Sequence, residues 1–180
     1  MKIVLATPLY PPDIADPAPY VKELAKRLSS RHEITIVTYG HIPEKISGVK
    51  IVTTDKRKPL LVRLIKYGAT LVREARGADV VYAQNGPSVE LPVLFVSLFT
   101  HTPIILHFGD SLAHERAASY PLLKLLERFT LSRAKEILHD TVPERPEIIS
   151  FKPRPVAALN EYEIKWDTHL KLLEKIFIHV

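Results

Sequence analysis

The sequence predicts an α/β fold: a Rossmann-like, doubly wound, mainly parallel sheet. Short β-branched apolar runs alternate with longer stretches of helical periodicity, the pattern that places helices on a parallel sheet. The 180 residues are 46% hydrophobic, enough for one well-cored domain, and 25% charged, the globular average, which excludes disorder.

The elements follow in order. Lys2 to Thr7 is a β-branched run ended by Pro8, and Glu33 to Thr38 is a second, so both read as buried strands. Between them Tyr20, Val21, Leu24, Ala25 and Leu28 recur at helical spacing, with Asp16 as N-cap and Pro17 in the first turn. Further strands are expected at Val49 to Thr53, Val80 to Ala83, Pro103 to His107 and Glu136 to His139. Helices are expected near Leu60 to Ala75, Val89 to Thr100 and Leu122 to Leu131. After His139, Pro143, Pro146, Pro153 and Pro155 crowd a stretch without periodicity. The expected organisation is a domain over 1–142, a proline-rich connector over 143–159, and a terminal helix over 160–180 that docks back on the domain. Asn160 and Glu163 have capping-box spacing, and Trp166, Leu170, Leu173 and Phe177 make one apolar stripe.

Composition removes whole classes of function. With no cysteine there is no disulfide framework, thiolate metal site, Fe–S cluster or cysteine nucleophile, which fits the cytosol. The start of the chain turns into Pro8, Pro11 and Pro12 before a signal peptide could form its apolar core, and no later run reaches membrane-spanning length. The expected location is cytoplasmic, with peripheral contact at the inner membrane face as an addition. The six glycines stand singly, so no dinucleotide or Walker loop can be drawn. Proline-rich loops, one Met and three side-chain amides (Gln84, Asn85, Asn160) match a protein from a hot source. The +5 charge permits attraction to phosphates, yet no Lys/Arg block is interleaved with aromatics, so no nucleic-acid partner is expected. His101, His107 and His114 lack metal-ligand spacing, and Ser111 lies outside any nucleophile elbow, so neither a metal nor a serine hydrolase is expected.

Two stretches carry a resemblance. Met1 to Ile14 (Met-Lys-Ile-Val-Leu-Ala-Thr-Pro-Leu-Tyr-Pro-Pro-Asp-Ile) followed by Pro17 to Ala25 resembles the opening of family 4 retaining glycosyltransferases of the GT-B fold, over some forty residues through Val37-Thr38-Tyr39-Gly40. Pro103 to Ser111 and Glu115-Arg116-Ala117 resemble the strand and loop where such enzymes meet acceptor and transferred sugar, and Tyr162 to Ile176 resembles their returning helix. The resemblance implies an acceptor-side domain facing a donor-binding domain that these residues do not contain. It implies transfer of a hexose from a nucleotide diphosphate sugar to a hydroxyl acceptor with retention. The chain alone is then expected to be inactive, to bind no cofactor tightly, and to meet the donor only in a complete complex. A separate donor-domain chain, a homodimer, or a shortened piece of a larger protein all fit, with a sugar or lipid-linked acceptor. The alternative is a noncatalytic binding or scaffold protein derived from such a domain.

The candidate site residues are Asp16, Gln84, Asn85, His107, Gly109, Asp110 and Glu115, with His107 and Asp110 as catalytic candidates. His107 and Asp110 fall at the carboxyl end of a predicted strand, where open α/β sheets place their crevice. The resemblance implies contact of His107 with a sugar or acceptor hydroxyl and positioning of an acceptor hydroxyl by Asp110. A satisfied core histidine and a turn carboxylate are the plain alternatives. Gln84, Asn85 and Ser88 follow a strand and suit hydroxyl recognition, while Asn85-Gly86-Pro87 is also good turn chemistry. The family's paired glycines after the first strand are replaced by Ala15 and Asp16, and a carboxylate there repels a diphosphate. Glu115 and Arg116 extend the surface or form a solvated pair. Lys56, Arg57 and Lys58, with Arg63 and Lys66 on the next helix, are candidates for membrane contact. In that helix Leu60, Leu61, Leu64, Ile65, Tyr67, Leu71, Val72 and Ala75 are expected on one arc and its cations on the other.

Overall fold

The computed structural model describes residues 1–15, 17–108, 120–139 and 156–180, the last segment without the side chains of 156–159. Six strands form one sheet: β1 (Lys2–Ala6), β2 (Glu33–Tyr39), β3 (Val49–Thr54), β4 (Val80–Gln84), β5 (Ile104–Phe108) and β6 (Glu136–His139). Their order is β3-β2-β1-β4-β5-β6, and all five pairings are parallel. The central strands are near-continuous apolar runs because helices cover both faces.

Five helices are described: α1 (Ala18–Leu28), α2 (Leu60–Ala75), α3 (Pro87–Phe99), α4 (Pro121–Arg133) and α5 (Val156–His179). Alternation along the strands decides which residues meet which helices. Ile3, Leu5, Ile34, Ile36, Val80, Tyr82 and Ile105 face α1 and α5. Val4, Ala6, Val37, Val81, Ala83, Ile104 and Leu106 face α2 and α3. The terminal helix inserts Trp166, Leu170, Leu173 and Phe177 into the first of these cores. Burying each such side chain stabilises by roughly 1.5–3 kcal/mol.

Two expectations change. The terminal helix starts at Val156, so Asn160 stands inside it and cannot cap it. Glu163 instead forms a two-pronged bond with Arg27 of α1, both contacts at 2.8 Å. In α2 the burial arc is narrower than the apolar arc: Tyr67, Gly68, Leu71 and Ala75 are buried, whereas Leu60, Leu61 and Ile65 face outward. At Gly68 α2 and α3 approach closely, since a Cβ there would lie 3.4 Å from Phe95 and 3.9 Å from Pro92. Among the described residues no helix is long and apolar enough to cross a membrane.

Candidate functional site

The strand order reverses between β1 and β4, and open parallel sheets bind ligands outside the carboxyl ends of their strands at such a switch point. The loops leaving β1 and β4 meet there, with a Cβ on Gly86 reaching 4.0 Å from Pro8. Gly86 has φ +136°, a conformation open to glycine. Its N–H donates to Glu90 Oε1 at 3.0 Å, and its carbonyl accepts from the N–H groups of Val89 and Glu90. The Asn85-Gly86-Pro87 sequence is therefore the entry of α3, with the Glu90 carboxylate folded back on the cap.

Gln84 and His107 are register partners at the ends of β4 and β5. Their side chains are hydrogen-bonded, His107 Nδ1 to Gln84 Oε1 at 3.1 Å, so Nδ1 carries the proton and Nε2 presents a lone pair. The His107 ring stacks on Tyr82 at 5.6 Å and lies 5.4 Å from Tyr20. Tyr20 links three elements: its hydroxyl is 2.8 Å from the Tyr82 hydroxyl and 2.9 Å from His169 Nε2 on α5. Trp166 stacks on Tyr20 at 5.7 Å and carries the Arg27 guanidinium over its own ring, 5.1 Å from the centroid.

This arrangement corrects the expected open crevice. His107 is 0% exposed, Gln84 1% and Asn85 2%, because α1 and α5 close over the ends of β4 and β5 with Tyr20 and His169. The enclosure is nonetheless incompletely satisfied. Gln84 Nε2, His107 Nε2, His169 Nδ1, Trp166 Nε1 and the Tyr10 hydroxyl are buried without a hydrogen-bond partner among the described residues. Each such group costs about 1–3 kcal/mol. Burial lowers the His107 pKa to about 4, with the nearby His169 and His139 adding to the effect, and burial alone lowers His169 to about 4. Burial also raises the Tyr20 and Tyr82 hydroxyls well above the ordinary tyrosine value. Near neutral pH the cluster is uncharged, and it offers donors and acceptors rather than ionic contacts.

The structure thus joins Gln84 to His107 and ties Asn85 to the same strand end, its N–H donating to the His107 carbonyl at 2.9 Å. Ser88 contributes its carbonyl, which accepts from the Tyr39 hydroxyl at 2.7 Å. Asp16, Gly109, Asp110, Ser111, Glu115 and Arg116 lie outside the described residues. Of the basic candidates, Lys56 pairs with Asp13 at 2.5 Å and Arg57 with Asp55 at 3.1 Å. Arg63 lies over the Tyr39 ring and donates to the Lys56 carbonyl. Lys58 and Lys66 remain solvent-facing. Sequence reasoning missed Tyr10, Tyr20, Tyr82 and His169 as polar participants. His169 carried a signal, since it falls three residues after Trp166 on the apolar stripe of α5.

Two crystal structures of Anabaena Alr3699/HepE are similar to the chain. The complex with UDP and glucose aligns at TM-score 0.52 and 20% identity, covering 76% of this chain and 37% of that one. The complex with UDP aligns at TM-score 0.49 with the same identity and coverage. An alpha-glucosyltransferase in complex with UDP and a 13-mer DNA aligns at TM-score 0.47 and 14% identity, covering 79% of this chain and 38% of that one. The chain therefore spans a little over a third of the length of the structures it matches. No curated protein matches it. The family model described as a glycosyl transferase 4-like domain matches residues 17–158, from the start of α1 to the first turn of α5, and with the parallel sheet and its returning helix this places the chain in the glycosyl transferase 4-like family.

Proposed function

We propose that this chain is the acceptor-binding half of a glycosyltransferase that moves a hexose from a nucleotide diphosphate sugar to a hydroxyl acceptor. The observation that carries the reading is the match of residues 17–158 to the glycosyl transferase 4-like domain, on a sheet whose strand order reverses between β1 and β4. Near that switch point, buried under α1 and α5, Gln84 Nε2 and His107 Nε2 are a donor and an acceptor without a partner among the described residues, the polarity that a sugar hydroxyl complements. Asn85, and Asp110 and Glu115 from the sequence that follows β5, extend the recognition surface in this reading. A donor-binding partner supplies the contacts that stabilise the departing diphosphate, the step on which retaining transfer depends here.

Calorimetry with uridine, guanosine and adenosine diphosphate sugars tests the division of labour. The chain alone should bind them weakly and transfer nothing, whereas tight binding of one of them places the donor site in this chain. Binding to an array of immobilised glycans should fall at least tenfold in Gln84→Leu, with the melting temperature measured beside it. A folded Gln84→Leu variant that binds as well as the parent removes the acceptor assignment.

A further inference from the structure

His107 is packed from several sides by groups that leave the place of its proton to one neighbour. Residues 82 and 84 of β4 and 105 and 107 of β5 share the sheet face covered by α1 and α5. The Asn85 N–H donates to the His107 carbonyl at 2.9 Å, which holds the two strand ends side by side. The His107 ring packs on Tyr82 at 5.6 Å and 23°, and on Tyr20 at 5.4 Å and 36°. These contacts set the plane of the imidazole, not its tautomer.

The surrounding polar groups are engaged elsewhere. The Tyr20 and Tyr82 hydroxyls bond each other at 2.8 Å, and Tyr20 also bonds His169 Nε2 at 2.9 Å. His169 of α5 and His139 of β6 act on the ring through charge, and His139 stacks on Phe108. Among the described residues, the carboxamide of Gln84, the chain's only glutamine, is the one group bonded to the His107 ring, Oε1 to Nδ1 at 3.1 Å. An amide oxygen has no proton to give, so the nitrogen that faces it is N–H, and the other nitrogen is left with a lone pair. A carboxylate in this place would also favour a second proton on the ring, whereas a neutral amide does not. Burial works in the same direction and keeps the imidazole neutral near pH 7.

We propose that Gln84 is a positioning residue: its Oε1 holds His107 in the Nδ1–H tautomer, so that Nε2 meets a ligand as a hydrogen-bond acceptor. A neutral ring nitrogen with a lone pair takes a hydroxyl proton and repels a phosphate or carboxylate oxygen, so the pair selects neutral polyhydroxyl groups over anionic ones. That selection rests on the acceptor-binding reading above, whereas the tautomer is a property of the chain itself.

Long-range proton–nitrogen NMR spectra of the whole chain, labelled with nitrogen-15 at its eight histidines, are the test. The His107 signals are identified by their loss in His107→Phe. Near neutral pH the parent should show Nδ1 protonated and Nε2 bare. Gln84→Met keeps the side-chain length and removes the acceptor, so at least about a third of the population should move to Nε2–H. A Gln84 that serves packing alone would lower the melting temperature of Gln84→Met and leave the tautomer untouched. That result overturns the proposal, and so does Nε2–H in the parent. Gln84→Glu covers the case in which Gln84→Met does not fold, because it keeps an oxygen against Nδ1. There Nδ1 should stay protonated, and the pH at which the ring takes its second proton should rise by about 1 or more. An unmoved titration in Gln84→Glu overturns the proposal. Binding to immobilised glycans is read separately: a parent with the expected tautomer and no glycan binding removes the acceptor assignment and leaves the role of Gln84 standing.

Discussion

The two helical layers of this sheet handle charge in opposite ways. On the α1/α5 side, six cations (Lys22, Lys26, Arg27, Lys165, Lys171, Lys175) meet five carboxylates (Glu23, Glu161, Glu163, Asp167, Glu174), and ion pairs cross between the helices. Arg27 bonds Glu163 and Glu23, and Arg31 and His32 just beyond α1 bond Glu174. Beneath this network lies the largest aromatic cluster, where Tyr20, Tyr82, Trp166, His107 and His169 pack together. On the α2–α4 side the carboxylates are buried or paired, the cations stand out, and leucines and Phe129 face solvent. The first layer joins its helices through charge pairs; the second leaves aliphatic and basic side chains in solvent.

The largest effect that tests this contrast is in packing. Trp166 is 1% exposed, so Trp166→Ala should lower unfolding free energy by about 3–5 kcal/mol. Leu122→Ala on the opposite layer should change it by no more than about 0.5 kcal/mol. Denaturant titrations of the two variants decide it, and similar losses would erase the distinction between the layers.

Acid is the second probe, because the two buried histidines with lowered pKa values sit on the α1/α5 side. His107 and His169 are held neutral, with pKa values lowered from 6.5 to about 4. The unfolded chain binds protons first, so this stability is full above about pH 6.5 and is lost as pH falls toward 4. For His107 alone the loss reaches roughly 3 kcal/mol. Melts from pH 7.5 to 4 should show a steep fall, made shallower by His107→Phe. An unchanged acid slope in that variant would mean that His107 does not titrate as buried.

The smallest effect concerns the surface pairs. A double-mutant cycle on Arg27 and Glu163 should give a coupling of about 0.2–1 kcal/mol, since Glu163 is more than half exposed. Lys66→Glu on the other layer should leave stability unchanged, because Lys66 has no described partner to lose.

Much of the architecture follows from local pattern. The strands β1, β2, β4 and β5 are apolar runs of strand length bounded by turn residues, and the expected boundaries agree with the observed ones to within a residue or two. The stripe of Trp166, Leu170, Leu173 and Phe177 likewise names its own buried face. Caps and partial burial were less legible. Asn160 has the chemistry of an N-cap, worth about 1 kcal/mol, yet α5 begins at Val156 and continues through it. The α2 arc was overestimated because periodicity counts apolar residues without knowing where the sheet ends.

The sequence by itself determined which segments become strands and helices, and through that the parallel sheet, since hydrophobic periodicity is a local property that each segment carries alone. Only the tertiary structure decided the polar cluster. Tyr20, Tyr82, His107 and His169 come from α1, β4, β5 and α5, and the Tyr20–His169 bond spans 149 positions. Each of these residues looks ordinary in its own segment. Their neutral state and their unpartnered atoms arise only when four elements converge and exclude water, because desolvation is a property of the assembled neighbourhood and not of the residue.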